Sequence, residues 1–168
     1  MLTHAHSELT SAQYVVFVDS SRRYVDCSEG INQLLGYKKH ELLQKSIDDI
    51  SCHRDEAKHL FQQYLGTGKL EGEYVLMAKD LTPVVIRYRA FVFSDGCLAA
   101  TWEPVHDWRE LYMAAVLEVH PPRLRHRVEV ALAAIQARLA QRPPLPQQEQ
   151  QSIQDATSAL RRLLNTAK

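Results

Sequence analysis

The chain has 168 residues, 45% hydrophobic and 24% charged, with 20 basic and 20 acidic side chains in balance. That is enough for one ordinary domain with a real core and a modest appendage. No window approaches the run of about 18 apolar residues that a membrane span needs, and the first eight residues lack the basic-then-apolar layout of a signal peptide, so a cytoplasmic location is expected.

Cys27, Cys52 and Cys97 are an odd number at wide spacings with no CxxC pair, which points to free thiols and not to a disulfide framework or a zinc site. Charge is unevenly placed: residues 1–120 carry 12 Lys/Arg and 17 Asp/Glu, residues 121–168 carry 8 and 3. The basic residues of the tail are spread over two expected helices with no aromatic side chain to stack on bases, so solvated helix faces are expected and nucleic acid is not.

In chain order, residues 7–12 suit a short lead-in helix, and 14–18 (Tyr-Val-Val-Phe-Val) a strand that ends at the turn 19–21. Residues 24–27 make a second strand, in hairpin spacing with the first. Ser28 is placed to cap a two-turn helix carrying Ile31, Leu34 and Leu35, and Gly36 to end it left-handed. Residues 38–44 and 46–50 suit one-turn helices anchored by Leu42, Leu43, Ile47 and Ile50. A longer helix is expected over 54–68, with Ala57, Leu60, Phe61, Tyr64 and Leu65 on one stripe.

The period then changes from helical to alternating. Strands are expected over 71–78, 84–93 and 97–103, joined by turns at 80–83 and 94–96. In the middle strand Val84, Ile86, Tyr88, Ala90 and Val92 share one face and Arg87 and Arg89 the other. Beyond Pro104 three amphipathic stripes follow: Trp108, Leu111, Tyr112, Ala115 and Val116, broken at His120-Pro-Pro; then Val128, Leu132, Ile135 and Leu139; then Ile153, Ala156, Leu160 and Leu163. The linker 143–151 lets the last two fold back as a hairpin. The reading is α+β: a five-stranded antiparallel sheet with short helices on one face, and a C-terminal helical hairpin.

Asp19-Ser-Ser-Arg-Arg-Tyr-Val25, Ile31-Asn-Gln-Leu-Leu-Gly-Tyr37 and Glu41-Leu-Leu43 together resemble the N-terminal half of a PAS domain. Gly68-Lys-Leu-Glu-Gly-Glu-Tyr-Val75 and Pro83-Val-Val-Ile-Arg-Tyr-Arg89 are similar to that family's paired strands. The resemblance covers about residues 13–105, giving a lead-in at 1–13, a PAS domain at 14–105 and a helical tail at 106–168. Ser28 stands where the family usually has Asn at the start of its first helix.

The resemblance implies a sensory module. Its first reading is action through dimerisation or partner binding, with no catalytic residue, metal or cofactor. A homodimer is expected, with a signalling protein as a further partner and no membrane contact. Since the outer sheet face of the family often dimerises, Phe91, Phe93, Leu98 and Trp102 are the expected interface, with Val15 and Phe17 beside them. The alternative is a cavity holding a small molecule, haem or flavin, lined by Ile31, Leu35, Ile47, Leu60, Phe61, Tyr64, Tyr74, Ile86 and Tyr88, residues that otherwise simply fill the core.

The resemblance places the axial histidine of haem sensors at Ala57. His59, two residues on, is turned about 200° around the helix, and His53 lies at the helix start. The flavin photosensors' Asn-Cys-Arg-Phe-Leu-Gln motif is absent, Ser51-Cys52-His53-Arg54 being the nearest segment. Asp48, Asp49, Asp55 and Glu56 are expected to serve helix N-termini, not a cation. His126 opens a tail helix as a kinase phosphoacceptor does, but without the His-Glu-Leu-Arg-x-Pro pattern, so an exposed helix residue is expected there.

Overall fold

The computed structural model describes residues 12–93, 98–141 and 144–166; the expected lead-in at 7–11 and turn at 94–96 lie outside the described residues. Strand β1 (Val15–Val18) is followed by β2 (Tyr24–Cys27), then by helices α1 (Gly30–Leu35), α2 (Lys39–Leu42), α3 (Ile47–Ile50) and α4 (Arg54–Thr67). Strands β3 (Lys69–Met77), β4 (Pro83–Val92) and β5 (Leu98–Pro104) come next, and helices α5 (Trp108–Val116), α6 (Pro121–Ala140) and α7 (Gln147–Thr166) end the chain. The sheet runs β2-β1-β5-β4-β3, so β5 lies in the middle with β1 and β4 antiparallel on its two sides. This is the expected α+β arrangement.

Local chemistry explains the connections. In the β1–β2 turn the Asp19 carboxylate accepts from the amides of Ser21 and Arg23, both at 2.9 Å, while Arg22 takes a left-handed φ of 67°. Gly36 and Gly68 end α1 and α4 at φ 73° and 72°, where a side chain would be strained, and each amide donates back four residues, to Asn32 and Tyr64. Ser28 does not cap α1 as expected. Its hydroxyl donates to the Gln13 carbonyl at 2.8 Å and accepts from the Val15 amide at 2.9 Å, so it ties down the start of β1. Asp49 is an N-terminal helix residue as expected, accepting from the Ser46 amide and hydroxyl, which hold its carboxyl below the usual range.

Two compact units result. The first carries the sheet and α1–α4 up to Leu81, with Ile86–Pro104; the second takes Thr82–Val85 and everything from Val105. In the second unit α6 packs against both α5 and α7. With a neighbour on two sides, its buried face is wider than one stripe: Val128, Val130, Ala131, Ala134 and Ile135 are buried, whereas the expected Leu139 is exposed and Leu132 only half-buried. Proline does not break the chain at His120 for long, because Pro121 opens α6 in the first-turn position where its missing N–H costs nothing. The linker is also shorter than expected, α7 beginning at Gln147.

Glu149, in the first turn of α7, joins all three helices. It accepts from the Arg138 guanidinium at 3.0 and 2.9 Å and from the Trp108 indole at 3.3 Å. The Arg138 bonds, with Trp108 behind them, hold its carboxyl below the usual carboxylate range. A group whose folded-state pKa is depressed stabilises the fold above the unfolded value of about 4.3 and loses that contribution as pH falls through the depressed value. Glu149→Gln is therefore expected to lower the thermal midpoint at pH 7, and the gap from the parent chain to close in acid. Melting curves from pH 7 to pH 3 check this; a gap that does not change with pH counts against the ion pair.

Candidate functional site: an apolar cavity in the PAS-like unit

Strand register decides which side chains meet. Val16 faces Ala100, which faces Ala90; Val18 faces Leu98, which faces Val92; Tyr88 faces Trp102. With a period of two, these rows share one face of the sheet. Ile47 of α3 and Ala57, Leu60, Phe61 and Tyr64 of α4 lie over that face, the last four at helical spacing i, i+3, i+4, i+7. Leu70, Tyr74 and Leu76 of β3 and Tyr24 of β2 complete the walls of a cavity of about 110 Å³.

The void has a cause in the sequence. Ala90 and Ala100 sit directly opposite each other, and Ala57 lines the helix side, so three methyl groups stand where larger side chains would close the core. Close-packed interiors have few voids above the size of a water molecule, and apolar cavities on the order of 150 Å³ hold benzene. This cavity is of that order, and among the described residues no charged side chain lines it.

Of the expected cavity residues, Ile47, Leu60, Phe61, Tyr64, Tyr74, Ile86 and Tyr88 line it. Ile31 and Leu35 do not: they form the buried face of α1, at 0% and 1% exposure, as ordinary core. Leu65, expected on the same helical stripe, is half exposed. Sequence reasoning did not single out Val16, Val18, Tyr24, Ala57, Leu70, Leu76, Ala90, Ala99, Ala100 and Trp102 as lining residues. Alternation within each strand was the available signal; the register that brings the strands together was not.

The same register corrects the expected interface. Trp102 lies opposite Tyr88 on the cavity face and packs edge-on against Tyr24 at 6.4 Å, and Leu98 lies opposite Val18 and Val92 on that face; both are buried. Val15, Phe17 and Phe91 point the other way: Phe17 and Phe91 flank Ala99 across three strands, and Phe93 follows Phe91 in parity. Val15 is buried, and Phe17, Phe91 and Phe93 are half-buried.

Polar groups near the cavity have structural tasks. Tyr64 donates to the Phe91 carbonyl and lies 3.3 Å from that of Ala99, joining α4 to β4 and β5. Tyr74 donates to the His53 carbonyl at 2.7 Å. Arg22 pairs with Asp48 and lies 5.8 Å over the Phe61 ring. Among the described residues no cluster of His, Cys, Asp and Glu could hold a metal ion.

Haem and flavin do not fit these residues. The axial position is occupied by Ala57, His59 is exposed on the far side of α4, and His53 stands at its N-cap. Among the described residues no cysteine lines the cavity, and burial pushes the Cys52 thiol up, away from reactive thiolate. His126 is half-buried within α6 and not an exposed helix residue as expected.

The family model described as PAS domain matches residues 12–99. The chain belongs to the PAS domain family. Similar solved structures share that fold: a domain of the sensory box sensor histidine kinase/response regulator from Geobacter sulfurreducens is 20% identical, with a TM-score of 0.52, over 61% of this chain and 93% of that one. A PAS domain from Colwellia psychrerythraea is 15% identical, TM-score 0.50, over 62% and 96%. The PAS domain, in complex with ethanol, of a LuxR-family transcriptional regulator from Burkholderia thailandensis is 11% identical, TM-score 0.50, over 62% and 97%. No curated protein matches the chain. Among the described residues, no helix is long and apolar enough to cross a membrane.

Because Tyr64 supplies the hydroxyl that holds α4 on the strands, Tyr64→Phe is expected to destabilise the fold by about 1–2 kcal/mol. Urea denaturation measures this. An unchanged midpoint would mean that the two carbonyls do not depend on that hydroxyl.

Proposed function

We propose that this PAS domain is a non-catalytic sensory module whose signal is a small, largely apolar molecule taken into the cavity between the sheet and α3–α4. The observation that carries the reading is the void itself, built by the facing pair Ala90 and Ala100 and by Ala57, and lined without a charged side chain. Nature fills a core where nothing needs the space, since each unfilled methyl-sized gap costs stability on the order of 1 kcal/mol.

Extraction of freshly purified protein followed by mass spectrometry identifies any molecule carried through purification, and Ala100→Leu tests the site. Leu at this position fills the void, so binding of a ring-sized apolar probe such as toluene is expected to fall at least tenfold while the fold is retained. Equal probe binding by the parent chain and the variant would place the ligand elsewhere.

A second reading, association with a second copy through the outer sheet face, is favoured by the row of Phe17, Ala99 and Phe91, with Phe93 beside it. Half-buried aromatic side chains in line across three strands suit the core of a two-fold interface. In sedimentation, the parent chain should exceed its monomer mass of 19.2 kDa as concentration rises, and Phe91→Glu should hold it there. A parent chain that stays at monomer mass throughout removes this reading.

A further inference from the structure

Four tyrosines line the cavity, and their hydroxyls divide into two pairs. Those of Tyr64 and Tyr74 are spent on backbone carbonyls, as described above. Tyr24 and Tyr88 also line the cavity, but among the described residues their hydroxyls have no hydrogen-bond partner. An unpartnered phenol inside an apolar space is costly, and buried tyrosines usually find a partner.

Both side chains are held in place. Tyr24 is 3% exposed, its ring set by the edge-on contact with Trp102. The Tyr88 ring packs over the bare backbone of Gly72, where an added Cβ would come within 3.2 Å of the Tyr88 hydroxyl. Both are neutral phenols that keep their protons. Burial, then Tyr74 and Asp49, push the Tyr24 pKa up, and burial, then Glu56 and Tyr74, push that of Tyr88 up to about 12. Tyr88 lies opposite Trp102, and Tyr24 meets the same indole edge-on at 6.4 Å, so the two tyrosines are neighbours of one side chain within the cavity wall. Among the described residues no acidic or basic side chain lines the cavity, so nothing there offsets a charge on a ligand.

We infer that Tyr24 and Tyr88 are the specificity-determining residues of the cavity, selecting a small uncharged ligand with an apolar body and one oxygen, a carbonyl or hydroxyl, that their phenols hydrogen-bond. The inference rests on the reading of the cavity as a ligand site and adds the chemical class of the ligand. A carbonyl oxygen accepts from one or both phenols; a ligand hydroxyl donates to one and accepts from the other. A site that hydrogen-bonds an oxygen discriminates against the analogue that lacks it, because the phenols are then left unpaired in the complex.

The test uses the full chain and two matched probes, p-cresol and toluene, titrated by amide NMR shifts. The phenol is expected to bind about tenfold more tightly than the hydrocarbon, the value of roughly one good hydrogen bond. Tyr24→Phe and Tyr88→Phe should each reduce that preference and together abolish it, with toluene binding retained. Melting of the ligand-free variants is an independent readout. Loss of an unpartnered hydroxyl should leave the midpoint unchanged or raise it, whereas a fall would show that the hydroxyls already serve the fold and would overturn the inference. Equal affinity for the two probes, unaffected by the double variant but lost in Ala100→Leu, would also overturn it while leaving the cavity as the ligand site. Failure of both probes to bind, in the parent chain and in Ala100→Leu alike, would remove the site and the inference together.

Discussion

The register of β5 between β1 and β4 is the constraint on which the PAS-like unit depends. It sets Ala100 between Val16 and Ala90 on one face of the sheet and Ala99 between Phe17 and Phe91 on the other. A one-residue slip of β5 would turn its side chains to the opposite faces, taking Leu98, Ala100 and Trp102 off the cavity side and putting Ala99 and Thr101 there. The same pairing therefore brings Ala90 and Ala100 together on the cavity side and aligns Phe17, Ala99 and Phe91 across three strands. Tyr64 holds α4 to this arrangement through the carbonyls of Phe91 and Ala99, which are themselves neighbours across the β4–β5 pair.

Polar residues around the unit are largely absorbed by the fold. Asp19 builds the first turn, Ser28 anchors β1, Asp49 serves the start of α3, and Glu41 receives the Lys79 ammonium at 2.8 Å while also accepting from the Lys38 amide. Arg22, held left-handed by its turn, meets both Asp48 and the Phe61 ring. With these groups engaged in the fold, the walls left to the cavity are apolar side chains and aromatic rings.

Much of this was legible in the residues. The change from helical to alternating period after Gly68 marks the passage from α4 to the meander of three strands, and Gly36 and Gly68 end helices because a left-handed residue is needed there. Seven of the nine expected cavity residues line the void. The two others, Ile31 and Leu35, have the same apolar character, and only their position on the buried face of α1, away from the cavity, makes them core. Ser28 misled in a different way: a hydroxyl before a helix has the chemistry of a cap, but the backbone of Gln13 and Val15 competes for it successfully.

By itself, the sequence determined the α+β order of elements, the alternation of side chains within each strand and the amphipathic stripes of the tail, because periods of 2 and 3.6 are properties of a single segment. Tertiary structure alone decided that Trp102 and Leu98 join the cavity face, that two alanines distant in sequence face one another across it, and that Glu149 joins three helices. Those outcomes depend on which segments become neighbours and in what register, and that is settled by pairing between segments, not by the pattern within any one of them.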